Sequence, residues 1–239
     1  MKIFKTILQW YSVLTKIQYN ADGIITIHTT NFKTKKDFIN AYDTTRLSTG
    51  LTEDIKWRTH TALWVAEQSS KLEGDFVECG VNKGFLSKAI VTYLDFNKLN
   101  KTFYLLDTFE GVELKQFTEK ELKTGNPQQW KYGNTFEFIK ESFKDYNKVK
   151  IIKGVIPDTL NKVDSKQIAY LSIDMNCAYP EIKTIEFFWS KMVKGGMILL
   201  DDYAYDINSL EQCYAFNEFA NKHNIKILTL ATGQGLIIK

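Results

Sequence analysis

Gly74-Asp75-Phe76-Val77-Glu78-Cys79-Gly80-Val81-Asn82-Lys83-Gly84 is the stretch on which the reading of this chain turns. A short apolar run ends in an acid, and a Gly-x-x-x-Gly turn follows at once. Behind the turn, Phe85, Leu86, Ala89, Ile90 and Tyr93 recur at helical spacing. The pattern predicts a strand, a tight glycine turn and a helix N-terminus, which lets backbone approach a bound nucleotide closely. Such turns are common, so the weight of this one depends on the strands that follow.

Outward from this unit the order is strand, helix, strand. Compact Val/Ile/Leu/Tyr runs predict parallel strands at Phe76–Glu78, Thr102–Asp107, Val149–Ile152, Ala169–Asp174 and Met197–Asp201. Helices are expected at Gly84–Tyr93, Phe136–Phe143, Pro180–Met192 and Leu210–His223. Ile225–Leu230 and Gly235–Ile238 are too close together for a parallel crossover and should pair antiparallel. The expectation is an α/β, Rossmann-like doubly wound sheet of seven strands, five of them parallel, closed by a C-terminal antiparallel hairpin. Residues 72–239 form that domain. Residues 1–71 read as a helical extension, a cap or an oligomerisation segment: an irregular piece from Ile24, then a helix with Trp57, Thr61, Trp64 and Val65 on one face. Gly111 to about Lys148 is longer than a crossover needs. Its loop-like middle carries Trp130 and Tyr132, and it reads either as a lid over substrate or as a surface excursion.

Bulk properties exclude several classes. Hydrophobic residues at 44% and charged residues at 25% are ordinary for a globular protein, and a net charge of +3 with dispersed lysines argues against nucleic acid. Three cysteines without a C-x-x-C pair (Cys79, Cys177, Cys213) suggest reduced thiols, a cytoplasmic setting and no zinc site. No apolar run is long enough to span a bilayer, and the N-terminus lacks a secretory leader pattern. Phe4, Ile7, Leu8, Tyr11 and Leu14 share a helical face near Lys2, Lys5 and Lys16. That face suits packing on the body or on a second subunit; peripheral binding at the inner face of a membrane is the alternative.

Ligands of open parallel sheets bind beyond the carboxyl ends of the strands, and nearly every predicted strand here ends in an acid: Glu78, Asp107, Asp174 and the pair Asp201-Asp202. Crowded carboxylates repel one another unless a cation or a hydroxyl-rich ligand lies among them. Asp107 stands where an acid accepts hydrogen bonds from both hydroxyls of an adenosine ribose; capping of a turn is the alternative. Asp174, Asp201 and Asp202 converge as oxygen ligands suited to magnesium, calcium or manganese, or else they cap loop amides.

The segments Phe76–Gly84, Tyr104–Val112, Lys153–Leu160, Tyr170–Glu181, Gly195–Tyr203 and Thr232–Lys239 come in the order of the macrocin O-methyltransferase family, which the chain resembles from about Arg58 to its C-terminus. The family uses S-adenosylmethionine, and several members methylate sugar hydroxyls in polysaccharide or natural-product biosynthesis. The resemblance implies that Glu78, Gly80 and Gly84 shape the loop under the methionine moiety. Asp107 holds the ribose with Thr108 and Phe109 beside it, and Gly154 and Val155 lie near the adenine. It further implies that Asp174, Asp201 and Asp202 bind magnesium, with Asp174 also beside the cofactor and the candidate proton acceptor. Arg58 is a candidate partner of the cofactor carboxylate, and His60 a candidate contact or proton carrier; an exposed ion pair and a packed histidine are the alternatives. Asn176, Tyr203, Trp130 and Tyr132 are candidate contacts to a small-molecule or glycan substrate with neighbouring hydroxyls.

Two departures stand out. Asn176 occupies a position where family members often carry a second acid. The stretch Ala204–Ser209 lacks the histidine that close relatives place after Asp-Asp-Tyr. These departures make a catalytically weak binding protein of the same fold thinkable. A nucleotide-sugar or NAD oxidoreductase is disfavoured, because neither Gly-x-Gly-x-x-Gly nor Tyr-x-x-x-Lys is evident.

Overall fold

The computed structural model describes residues 15–124, 127–206 and 210–239. The expected face of Phe4, Ile7, Leu8, Tyr11 and Leu14 lies outside the described residues. A short antiparallel hairpin, β1 (Tyr19–Ala21) and β2 (Ile24–Thr26), comes first. Its turn, Asp22-Gly23, has left-handed backbone at both residues (φ 49° and 73°), the conformation a two-residue hairpin turn requires. Helices α1 (Lys36–Thr49) and α2 (Lys56–Ser70) lead into β3 (Asp75–Cys79). The predicted irregular piece is therefore a hairpin and a helix. Phe38, Ala41, Tyr42, Thr45 and Thr49 give α1 its buried face, and Gly50 ends it in a left-handed cap (φ 71°).

The remaining elements are α3 (Phe85–Tyr93), β4 (Phe103–Asp107), α4 (Glu119–Thr124), α5 (Phe136–Phe143), β5 (Val149–Lys153), β6 (Ile168–Ile173), α6 (Ala178–Trp189), β7 (Met192–Leu200), α7 (Leu210–Lys222), β8 (Leu228–Thr229) and β9 (Gly235–Ile238). Seven strands form one sheet in the order β5-β4-β3-β6-β7-β9-β8. β5, β4, β3, β6 and β7 pair parallel, while β9 pairs antiparallel with β7 and β8. The chain starts at β3 and winds out in both directions, so the switch point falls between β3 and β6. Both the predicted class and the closing hairpin are observed.

Strand periodicity of two sends alternate side chains to opposite faces. Phe76, Phe103, Leu105 and Tyr170 pack under Tyr42, Leu63, Val65, Ile90, Ile139 and Phe143 from α1, α2, α3 and α5. Val77, Tyr104, Leu106, Leu171, Ile198 and Leu200 pack under Ile185, Phe188, Phe216 and Phe219 from α6 and α7. Burying each such side chain contributes roughly 1.5–3 kcal/mol, which makes the strand ends rigid supports. On α2 the predicted face is rotated. Trp64 is 46% exposed, and the buried stripe runs through Arg58, Thr59, Ala62, Leu63, Val65, Ala66 and Ser69. No helix among the described residues is long and apolar enough to cross a membrane.

Candidate active site

A cavity of about 260 Å³ opens beyond the carboxyl ends of β3, β4, β5 and β6, at the switch point. Gly80, Asp107, Gly154 and Asp174 line it, one from each strand end, with Asn82, Asn176 and Tyr132 around them. The floor is backbone. At Gly80 (φ 88°) a Cβ would fall 1.6 Å from the carbonyl oxygen of Asp174, so only glycine lets the turn pass. At Gly154 (φ 145°) a Cβ would meet Thr159 Cγ2 at 2.6 Å. Gly84 does different work: with φ 71° it precedes α3, and a Cβ there would strike Ile139 and Phe143 of α5 at 2.9 Å. It lets α5 close against the start of α3 and does not line the cavity.

Asp107 is the organising carboxylate. Its Oδ2 accepts the Val81 and Asn82 amides at 2.6 and 2.8 Å, and its Oδ1 accepts the Phe109 amide at 2.6 Å. Phe109 contributes only this backbone donor, since its ring is fully buried against Phe136. Thr108 lines the cavity and donates to Gly111 O at 2.6 Å. The Tyr132 hydroxyl reaches both Asp107 oxygens, at 3.1 and 3.2 Å. Val155 lines an adjoining hollow with Lys115, Gln116 and Tyr179.

The insertion supplies much of the wall through Gly111, Val112, Glu113, Gln116, Phe117 and Tyr132. Glu121 of α4, a buried acid the sequence reading passed over, ties it down by accepting the Thr118 amide (2.7 Å) and the Ala178 amide at the start of α6 (2.9 Å). The Trp130 side chain lies outside the described residues.

At the far end of the cavity the acids meet. β6 and β7 pair with Ile173 opposite Leu200, so the next residues, Asp174 and Asp201, stand side by side. Asp174 keeps one face on the cavity. Burial and the charges of Asp201 and Asp202 push its carboxyl well above the usual carboxylate range. Burial, with Asp201, raises Asp202 to about 7. Asp201 itself is committed: Arg58 Nη1 binds its Oδ2, and Gln234 Nε2 donates to its Oδ1 at 2.9 Å. Arg58, 7% exposed, also faces Asp22 of the β1–β2 turn at 3.3 Å and stacks on Tyr205 at 4.9 Å. Arg58 thus reaches the acids and does not line the cavity. Asp22, Gln234 and Tyr205 are partners that the sequence reading did not name.

Two other candidates, His60 and Tyr203, lie away from the cavity. His60 stacks flat on Phe32 (4.1 Å, 3° between planes) with Trp57 and Phe38 edge-on, and burial lowers its pKa. It is packed as an aromatic, not aimed at a reacting group. Tyr203 is buried, donates to Asn217 Oδ1 at 2.7 Å and packs against Gly235. Asn176, with left-handed backbone (φ 57°), does line the cavity and approaches Asp174 Oδ1 at 3.4 Å. Cys79 and Cys177 are buried with raised thiol pKa values, chiefly through desolvation, as suits inert thiols.

The family model for macrocin-O-methyltransferase (TylF) matches residues 4–230. The chain belongs to the macrocin O-methyltransferase family. Its fold is similar to that of the O-methyltransferase NovP (20% identity over 76% of this chain and 79% of that one, TM-score 0.65). It is also similar to the calicheamicin methyltransferase CalS11 (12%, 85% and 93%, TM-score 0.61) and the SAH-bound Podospora anserina methyltransferase PaMTH1 (15%, 85% and 88%, TM-score 0.55). No curated protein matches the chain by sequence. As a member of the family the chain is an S-adenosylmethionine-dependent O-methyltransferase.

The residues present fit that cofactor. Gly80 and Gly154 line the cavity with backbone alone, and Asp107 presents a carboxylate to it. Beneath the turn, buried Glu78 has an Oε2 with no hydrogen-bond partner among the described residues, and burial pushes its carboxyl well above its ordinary value. An unsatisfied buried acid invites a polar or cationic group. For a cation the fit is narrower. Among the described residues no group of three or more His, Cys, Asp or Glu side chains is arranged to hold a metal ion, and Asp201 is taken by Arg58 and Gln234. Asp174 and Asp202 remain, and one or two carboxylates are the usual protein share of a magnesium site.

Proposed function

We propose that this family member methylates a hydroxyl of a sugar, or of a sugar-bearing small molecule or glycan, with a divalent cation such as magnesium at Asp174 and Asp202. Asp201 beside them is the third acid implied by the family resemblance. The observation that carries the reading is the shared strand edge. A nucleoside-sized cavity organised by Asp107 runs directly into Asp174, where a second ligand would meet the first.

When bound, S-adenosylmethionine supplies an electrophilic methyl group. When bound, the cation would orient two neighbouring hydroxyls and stabilise an alkoxide. The protein's own task is then positioning and proton removal. Asp107 grips the ribose end, and the Gly80 turn lets the cofactor lie close to Asp174. The Asp174 carboxylate accepts the hydroxyl proton. Asn176 and Tyr132 face the same space and are proposed to contact substrate. The insertion would act as its lid, and residues 1–71 as a cap or subunit contact. A cytoplasmic setting in polysaccharide or natural-product biosynthesis completes the proposal.

The test is methyl transfer from labelled S-adenosylmethionine to a panel of nucleotide sugars and free hexoses bearing vicinal diols, with magnesium and with EDTA. Transfer that EDTA abolishes supports the reading. Transfer only to acceptors without a sugar, or indifferent to EDTA, removes the substrate class or the metal respectively.

A further inference from the structure

Asp107 has no capacity left for a ribose. A carboxylate offers about four lone-pair sites. The Val81 and Asn82 amides, the Phe109 amide and the Tyr132 hydroxyl already point at its two oxygens. The Thr108 hydroxyl also reaches Asp107 Oδ1 at 3.2 Å, but its one proton is shared with the shorter contact to Gly111 O at 2.6 Å. The three amides belong to the turns after β3 and β4 and are fixed by the sheet; the Gly80 amide, for example, continues the ladder to Leu106 O at 2.9 Å. Tyr132 is different. It comes from the insertion, lies 25 residues along the chain from Asp107, and lines the cavity itself.

We infer that Tyr132 is an internal stand-in for the cofactor ribose: its hydroxyl occupies the acceptor sites of Asp107 in the ligand-free protein and is displaced when the ribose hydroxyls arrive. The inference rests on Asp107 being the ribose acceptor, as proposed above. It couples two events. Cofactor binding breaks the bond that ties this part of the insertion to β4, and so frees Tyr132 to turn toward the second ligand. The protein spends part of its cofactor affinity on that release, since a ligand that must displace a bound group binds more weakly by the fraction of time the site is closed.

Isothermal titration of S-adenosylhomocysteine into the wild type and Tyr132→Phe tests the idea. Phenylalanine keeps the ring and removes the competing hydroxyl, so binding should tighten by about tenfold, the scale of one hydrogen bond to a charged acceptor. Unchanged or weaker binding overturns the proposal and makes Tyr132 an ordinary contact of the bound cofactor. Absence of binding to both folded proteins removes the cofactor reading, and this proposal with it. Should Tyr132→Phe not fold, hydrogen exchange of the wild type decides. Faster exchange at Lys131–Asn134 on adding S-adenosylhomocysteine supports displacement, and slower or unchanged exchange contradicts it.

Discussion

Arg58 and Asp201 lie 143 residues apart and form a buried ion pair, with Arg58 Nη1 on Asp201 Oδ2 and Asp22 completing the cluster. One cation on α2 therefore links the tip of the N-terminal hairpin to the end of the strand that carries the acids. It also offsets negative charge that β6 and β7 would otherwise bring together uncompensated.

Truncating that cation should be severe. Arg58→Met leaves Asp22 and Asp201 buried without their partner, a change that costs about 3–5 kcal/mol in comparable buried pairs. Denaturant unfolding should show the midpoint fall accordingly. The double variant Arg58→Met/Asp22→Asn should recover part of the loss, because one orphaned charge is removed with the cation. A single variant as stable as the wild type would show that the cluster contributes nothing net.

Gly80→Ala tests the cradle. The new methyl would overlap the Asp174 carbonyl, and left-handed backbone alone costs on the order of 1–3 kcal/mol for a non-glycine residue. Loss of S-adenosylhomocysteine binding with a lowered melting temperature is expected. Gly50→Ala, with open space around its Cβ, should lower stability alone and leave binding intact.

Much of this was legible from the chain, and the failures have physical causes. The strands β3, β4 and β6 are compact apolar runs covered on both faces, so their pattern survives in sequence. The Asp22-Gly23 hairpin carried a recognised turn signal, but its strands are three residues long and offer too little alternation to read. Arg58 read either as a partner of the cofactor carboxylate or as an exposed ion pair; it forms an ion pair, but a buried one, because Asp22 and Asp201 are brought to it from distant parts of the chain. His60 read as a contact or proton carrier by resemblance, or else as a packed histidine; the packed form is observed, on Phe32 and Phe38 from a segment distant from its own helical motif.

Buried acids set a pH dependence. Glu78, Asp174, Glu181 and Asp202 all have raised pKa values, chiefly from burial, and Asp202 reaches about 7. The folded chain then holds protons that the unfolded chain has released, so unfolding releases protons and stability falls as pH rises between the unfolded and folded values. The ligand-free protein should melt at a higher temperature near pH 5 than near pH 8. Asp202→Asn should flatten the part of that slope below about 7. A melting temperature that rises with pH across the window would contradict these assignments.

The most direct test of the whole account is calorimetry of S-adenosylmethionine binding to the wild type and to Asp107→Ala, with NAD as the control ligand. The account predicts saturable heat with S-adenosylmethionine, none with NAD, and loss of the signal in the folded Asp107→Ala variant. No heat with S-adenosylmethionine, or binding that survives Asp107→Ala unchanged, would contradict it.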